Sequence, residues 1–189
     1  TSVLKSRTFS FELVNVVDPV GSGTSTPIWG VIRPHFKEFL IFANDYFDEV
    51  KIWSAGNFTY VHAITDVLFM GLKKPVHIKT YEDCMHTPEK IYKPLTDYLK
   101  TDITMTYPVT CKKYDGESME NMLILDDNKT TFDLNPSNGV NIPPYEPELT
   151  RAGILKEDTA LLKFMAWLSL PEVKNATSLC KLNKTTIFL

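Results

Sequence analysis

The run Asn121-Met122-Leu123-Ile124-Leu125-Asp126-Asp127-Asn128 constrains this chain more than any other stretch. Four successive apolar residues are too few for a helix and suit a buried strand. The run ends abruptly on two adjacent acids. A buried strand leaves those carboxylates at its C-terminal tip, the edge where ligands collect in open α/β sheets. Two like charges at one tip repel unless a cation or a lysine sits between them. The plain alternative is a strand followed by an Asp-Asn turn, with both carboxylates in water.

The 189 residues suit one domain, 1–189, with a real core. Hydrophobic residues at 43% and charged residues at 23% place the chain among ordinary globular proteins. A net charge of −3, with scattered basic residues, gives no electrostatic case for nucleic acid or an anionic membrane. No apolar run approaches the roughly 18 residues of a transmembrane helix, and Thr1-Ser2-Val3-Leu4-Lys5-Ser6-Arg7 lacks the apolar core of a signal peptide. Cys84, Cys111 and Cys180 are an odd, widely spaced set that fits neither zinc nor a disulfide framework, so a reducing, intracellular compartment is expected. The sequons at Asn57, Asn128, Asn175 and Asn183 then read as chance matches, and His35, His62, His77 and His86 lack metal-ligand spacing.

Along the chain, Phe9–Val17 and Pro27–Ile32 read as two strands of a hairpin around the turn-forming Asp18–Thr24. Pro34 stands at a plausible first position of a helix. Phe47–Trp53 reads as a strand, Tyr60–Met70 as a helix and Val76–Lys79 as a short strand. A helix is expected to begin near Lys93, with Pro94 in its first turn. Thr101–Met119 looks like a polar insertion. Met122–Leu125 and Val140–Ile142 are strands on either side of the turn Leu134–Gly139, and Asp158–Leu170 is a helix with a broad buried face. Alternating strands and helices predict an α/β layered fold.

Several pieces occur in a telling order: Arg33-Pro34-His35-Phe36-Lys37-Glu38-Phe39-Leu40, Ile52-Trp53-Ser54-Ala55-Gly56, Tyr60, Glu82-Asp83-Cys84, Tyr92-Lys93-Pro94-Leu95, Ile124-Leu125-Asp126-Asp127 and Asn135-Pro136-Ser137-Asn138-Gly139-Val140. Their order and spacing resemble the RNA polymerase II C-terminal-domain phosphatases, or NLI-interacting-factor-like phosphatases, of the haloacid dehalogenase superfamily. The wording is also similar to copies carried by large DNA viruses. The resemblance spans about Phe9 to Leu170. It implies a three-layer α/β sandwich with a mainly parallel central sheet and a small β-hairpin insertion. It also implies a Mg²⁺-dependent phosphoserine/phosphothreonine phosphatase that works through an aspartyl-phosphate. The substrate would be a phosphoprotein such as the RNA polymerase II C-terminal domain, in cytoplasm, nucleus or virion.

The same resemblance assigns roles. Ser54 would hydrogen-bond a phosphate oxygen, although it could instead cap the following helix. Lys93 would bridge the acids and the phosphate, although it could be a surface lysine at a helix start. Asp127 would ligate Mg²⁺, with Asp126 holding metal-bound water or Lys93. Arg33 would bind phosphate or flanking substrate, unless it is spent on a salt bridge. Trp53 and Tyr60 are expected in the core rather than on a substrate platform.

The family's Asp-x-Asp-x-Thr motif, which carries the nucleophile and the general acid/base, does not occur in these residues. It is expected just upstream of Thr1, with Thr1 as its last residue. Asp18 is the nearby substitute, but Val20 then stands where the general acid belongs. As written, the chain would be inactive for want of a nucleophile. The competing expectation is a non-catalytic relative that serves as a binding or structural component, including of a virion. A phosphatase of small metabolites fits less well, because the connection between Ser54 and Lys93 is too short for a large cap domain.

Overall fold

The computed structural model describes residues 2–15, 24–98 and 119–189. Thr1, Asp18 and most of the Thr101–Met119 stretch lie outside them. The chain divides into two compact units, Thr1–Asp83 with Tyr145–Met165, and Cys84–Pro144 with Ala166–Leu189.

The first unit opens with a short helix, α1 (Ser2–Ser6), which packs on β1 (Thr8–Asn15). β1 pairs antiparallel with β2 (Thr24–Val31), in register from Thr8 opposite Val31 to Asn15 opposite Thr24. This is the expected hairpin. A Cβ on Gly30 would stand 2.5 Å from the tip of the Phe9 ring across the ladder, so that ring would have to shift to admit a larger residue.

Helix α2 (Phe36–Tyr46) buries Leu40 and Ala43 on one face. The Phe39 ring meets Phe164 at 5.9 Å. Pro34 does not occupy its first turn, contrary to the sequence expectation. His35 intervenes as the N-terminal flanking residue in a left-handed conformation, φ 61°. That backbone is costly for a residue with a Cβ, and the His35 ring is tied down by Glu157 at 2.6 Å.

β3 (Ile52–Trp53) and β4 (Ile78–Lys79) pair in parallel, joined by a crossover that contains α3 (Phe58–Leu68). This strand–helix–strand unit is the building block of α/β sheets. α4 (Arg151–Leu155) follows in the same unit, and α5 (Ala160–Leu168) spans the boundary at residue 165.

In the second unit, β5 (Met85–His86) and β6 (Ile91–Tyr92) form a small antiparallel hairpin that the sequence did not announce. A 3₁₀ turn follows at Leu95–Tyr98, where an α-helix was expected. β7 (Ile124–Asp126) pairs in parallel with β8 (Gly139–Asn141), and residues 127–138 return through a 3₁₀ turn at Lys129–Phe132. Leu95, Ile124 and Phe132 form the core here, with Tyr98, Met119 and Met122 packed around them. A Cβ on Gly139 would stand 2.1 Å from the Phe132 ring, so only glycine lets β8 start against that side chain. α6 (Pro171–Lys174) and a 3₁₀ turn at Leu179–Lys181 complete the unit.

Among the described residues, no helix is long and apolar enough to cross a membrane.

Candidate active site

The acid pair sits where the apolar run placed it. Asp126 is the last residue of β7, opposite Asn141, and Asp127 follows it. The Asn141 side-chain amide donates to the backbone carbonyls of both Asp126 (3.1 Å) and Asp127 (2.9 Å). The Ile142 amide also donates to the Asp126 carbonyl, at 3.1 Å. The tip of the strand is therefore fixed through its backbone, which leaves the two carboxylates to other partners.

Those carboxylates differ. Asp126 Oδ1 accepts the Asn128 amide at 2.8 Å, closing an Asx turn. Its Oδ2 accepts Lys93 Nζ at 2.5 Å. The side chains of this ion pair are 7% and 12% exposed. The Asp127 side chain instead faces solvent. One acid of the pair is thus neutralised and half-buried, and its neighbour remains an exposed anion.

Lys93 is not a surface lysine at a helix start. It follows β6, is buried, and is held by its backbone: its amide donates to the Thr131 carbonyl (2.7 Å), and its carbonyl accepts the buried Asn135 side chain (3.1 Å). The loop 134–138 does further work. Asn138, also buried, donates from its side chain to the Met119 (2.5 Å) and Met122 (2.8 Å) carbonyls, and its own carbonyl accepts the Ile124 amide (3.0 Å). The Asn-Pro-Ser-Asn-Gly turn therefore grips both the root of β7 and the backbone of Lys93. The sequence marked these asparagines as turn formers, while their long-range contacts carry no sequence signal.

Among the described residues, the Lys93 ammonium makes one hydrogen bond, to Asp126. An ammonium has three donors. Two remain for a further acceptor beside the strand tip.

Ser54 belongs to the first unit and follows the C-terminal end of β3. Its amide donates to the Lys79 carbonyl (3.0 Å) and its Oγ accepts the Gly56 amide (3.0 Å). It does not cap α3. Asn57 does so, accepting the Tyr60 amide at 3.0 Å. Ser54 thus keeps its hydroxyl proton for another acceptor while its lone pair shapes the turn.

Arg33 closes a two-pronged salt bridge on Asp158, Nε to Oδ1 at 2.9 Å and the terminal nitrogen to Oδ2 at 3.0 Å. It also lies over the Tyr145 ring, 5.6 Å from its centroid. Burial opposes ionisation of Asp158. The Arg33 hydrogen bonds, the Ala160 amide and the charges of Arg33 and Arg7 outweigh that, so its carboxyl titrates below the ordinary range. A phosphate reaching Arg33 would share it with Asp158. Trp53 is half-buried, with Lys79 Nζ 4.5 Å from its ring centroid, and Tyr60 is half-buried as well.

For a divalent cation, the exposed Asp127 carboxylate is a suitable oxygen donor. Asp126 has both oxygens engaged. Among the described residues, no group of three or more His, Cys, Asp or Glu side chains could enclose a metal ion.

Comparison with known proteins gives the frame for this arrangement. The family model of NLI interacting factor-like phosphatases matches residues 3–177. Among solved structures, the chain is similar to a variant of the fission yeast RNA polymerase II CTD phosphatase Fcp1 bound to beryllium fluoride. The TM-score is 0.54 at 16% identity, over 88% of this chain and 42% of that one. That likeness shows the haloacid dehalogenase-like α/β fold, to which the two parallel strand pairs and the hairpin conform. The chain spans less than half the length of that phosphatase. Comparison with curated protein sequences finds no significant match. With 3–177 of its residues matched, the chain belongs to the NLI interacting factor-like phosphatase family.

Proposed function

We propose that this chain carries part of the active site of a Mg²⁺-dependent phosphoserine/phosphothreonine protein phosphatase. One observation carries the reading: a buried lysine held on Asp126, with donors to spare, beside the exposed Asp127 at a strand tip. A structural ion pair has no use for spare donors at low solvent access, whereas a phosphoryl group in transfer needs them. Phosphoryl transfer is mostly positioning and neutralisation of charge.

In this reading Lys93 donates to a phosphate oxygen as negative charge shifts during transfer. Asp126 orients the ammonium. Ser54, which belongs to the first unit, is assigned its phosphate contact by the family resemblance alone. Asp127 holds Mg²⁺, which when bound would neutralise the phosphate. Arg33 is the weakest member of the set, since its fork is closed on Asp158. Thr1 stands at the end of the expected Asp-x-Asp-x-Thr segment, whose first carboxylate attacks phosphorus and whose second gives a proton to the departing serine or threonine oxygen. The RNA polymerase II C-terminal domain is one substrate of suitable chemistry.

The test uses the chain joined at its N-terminus to an Asp-x-Asp-x segment, assayed with phosphoserine peptides and Mg²⁺. Turnover is expected, and Asp127→Ala should abolish it and weaken Mg²⁺ binding in calorimetry without unfolding the protein. Equal Mg²⁺ affinity in the two proteins would remove Asp127 from the site. Persistent inactivity with Mg²⁺ bound would favour a binding or structural role.

A further inference from the structure

Lys184 lies past the stretch matched by the family model and has an unusual set of partners. Its ammonium donates to three backbone carbonyls: Ser137 at 2.9 Å, Leu182 at 3.1 Å and Cys180 at 3.3 Å. Two of these belong to its own turn, at the end of the 3₁₀ segment Leu179–Lys181, where unsatisfied carbonyls attract a cation. The third is 47 residues away in sequence. It belongs to the loop that grips Lys93 and β7. Leu179 and Ile187 are buried on either side, so this segment is packed down rather than laid loosely on the surface. Burial lowers the Lys184 pKa, with the Cys180 thiol opposing that shift.

The connection to the site is short. Ser137 stands between the two buried asparagines of the loop. Asn135 holds the Lys93 carbonyl, and Asn138 holds the Met119 and Met122 carbonyls and receives the Ile124 amide. Asn135 and Asn138 are also linked to each other, amide of Asn138 to carbonyl of Asn135 at 2.9 Å. A loop that holds a catalytic lysine needs its own support, or the lysine's geometry drifts.

We infer that Lys184 is a positioning residue for the Lys93–Asp126 pair, acting through the Ser137 carbonyl and the loop 134–138. This rests on the phosphatase reading for its catalytic consequence, but not for its structural one. Lys184 clamps the outer side of the loop while Asn135 and Asn138 face the site. Removing the clamp lets the loop sample other positions, and Lys93 loses its fixed relation to Asp126.

The experiment has two arms. In the first, NMR of lysine ammonium groups follows Lys93 in the chain itself, with Lys184→Met, Lys184→Arg and Lys181→Met for comparison. Lys181 pairs with Glu120 on the surface and serves as the control. A slowly exchanging Lys93 signal is expected in the unaltered chain. It should broaden or shift in Lys184→Met, return in Lys184→Arg, and stay in place in Lys181→Met. In the second arm, the chain extended with Asp-x-Asp-x is assayed. Lys184→Met should lower kcat about threefold to tenfold with KM little changed, the scale of one ordinary net hydrogen bond. Lys184→Arg should recover it.

An unchanged Lys93 signal in folded Lys184→Met overturns the inference. If that variant does not fold, Lys184→Ala, which likewise removes the donors to the Ser137 carbonyl, is read by the same signal and decides by the same criterion. If the extended chain has no activity in any form, the phosphatase reading fails, while the ammonium signal still decides the role of Lys184.

Discussion

Arg33–Asp158 in the first unit and Lys93–Asp126 in the second are both cation–carboxylate pairs with little solvent access, yet they are finished differently. In the first, a planar guanidinium meets both carboxylate oxygens, and Asp158 Oδ1 also accepts the Ala160 amide at 3.1 Å. Tyr145 lies against the guanidinium. Such two-pronged geometry fixes orientation and saturates the acid. In the second, a point-like ammonium takes one oxygen and, among the described residues, makes no second hydrogen bond. The exposed Asp127 stands next to it in sequence. Burial of a charge is thus a poor guide to role. The state of the remaining hydrogen-bond capacity separates a joint from a working group.

The largest test of this contrast is Lys93→Ala in the extended chain. Turnover should fall at least about 100-fold, the scale of losing one transition-state charge contact. Peptide KM should change far less. A variant that loses only stability while kcat holds would make Lys93 a second joint, and the contrast would collapse.

Next in size is Arg33→Met. Leaving Asp158 without its cation should cost about 3 kcal/mol in urea unfolding, the low end for a broken buried pair. Activity at saturating substrate should hardly move. Unchanged stability together with a raised KM would transfer Arg33 from architecture to substrate binding.

The smallest effect is one of pH. The Asp158 carboxyl is held below its ordinary value in the folded protein. Its stabilisation is therefore complete above the unfolded value, about pH 3.9, and is lost as pH falls through the lower folded value. Urea midpoints should drop as pH falls from about 4 into the strongly acidic range. The double variant Arg33→Met/Asp158→Asn should show a shallower drop. The same slope in both proteins would mean that other carboxylates carry the acid sensitivity.

How much of this was legible in the sequence varies with the range of the interactions involved. The hairpin, α3 and the acid-tipped strand were readable, because each is announced by local patterning or turn chemistry. Lys93 was placed at a helix start because Pro94 is a good first helical residue. In the structure only a 3₁₀ turn follows, and the lysine is buried by Thr131 and Asn135, partners far along the chain. Nothing next to Lys93 in sequence encodes that burial. Ser54 competed with Asn57 for the helix cap, and the residue nearer the helix won.

The asparagine sequons read as chance matches. Three of them now have a physical explanation: Asn57, Asn128 and Asn183 each accept hydrogen bonds from residues two or three positions on. An Asn followed two residues later by Thr is also good Asx-turn chemistry. At Asn128 and Asn183, the amide and the hydroxyl of that threonine both donate to the asparagine oxygen. Short elements such as α1 and the β5–β6 hairpin were missed because they are too brief to establish a period.

The division of the chain has a consequence in time. Neither unit is a continuous piece of sequence: the first needs residues 145–165 and the second needs 166–189. A ribosome emits the chain from its N-terminus at about 5–20 residues per second. Lys93 and Asp126 therefore leave the ribosome well before Lys184, the residue that supports their loop. During that interval of several seconds the nascent chain holds the pair without its clamp, and the site reaches its final form only after synthesis has passed residue 184.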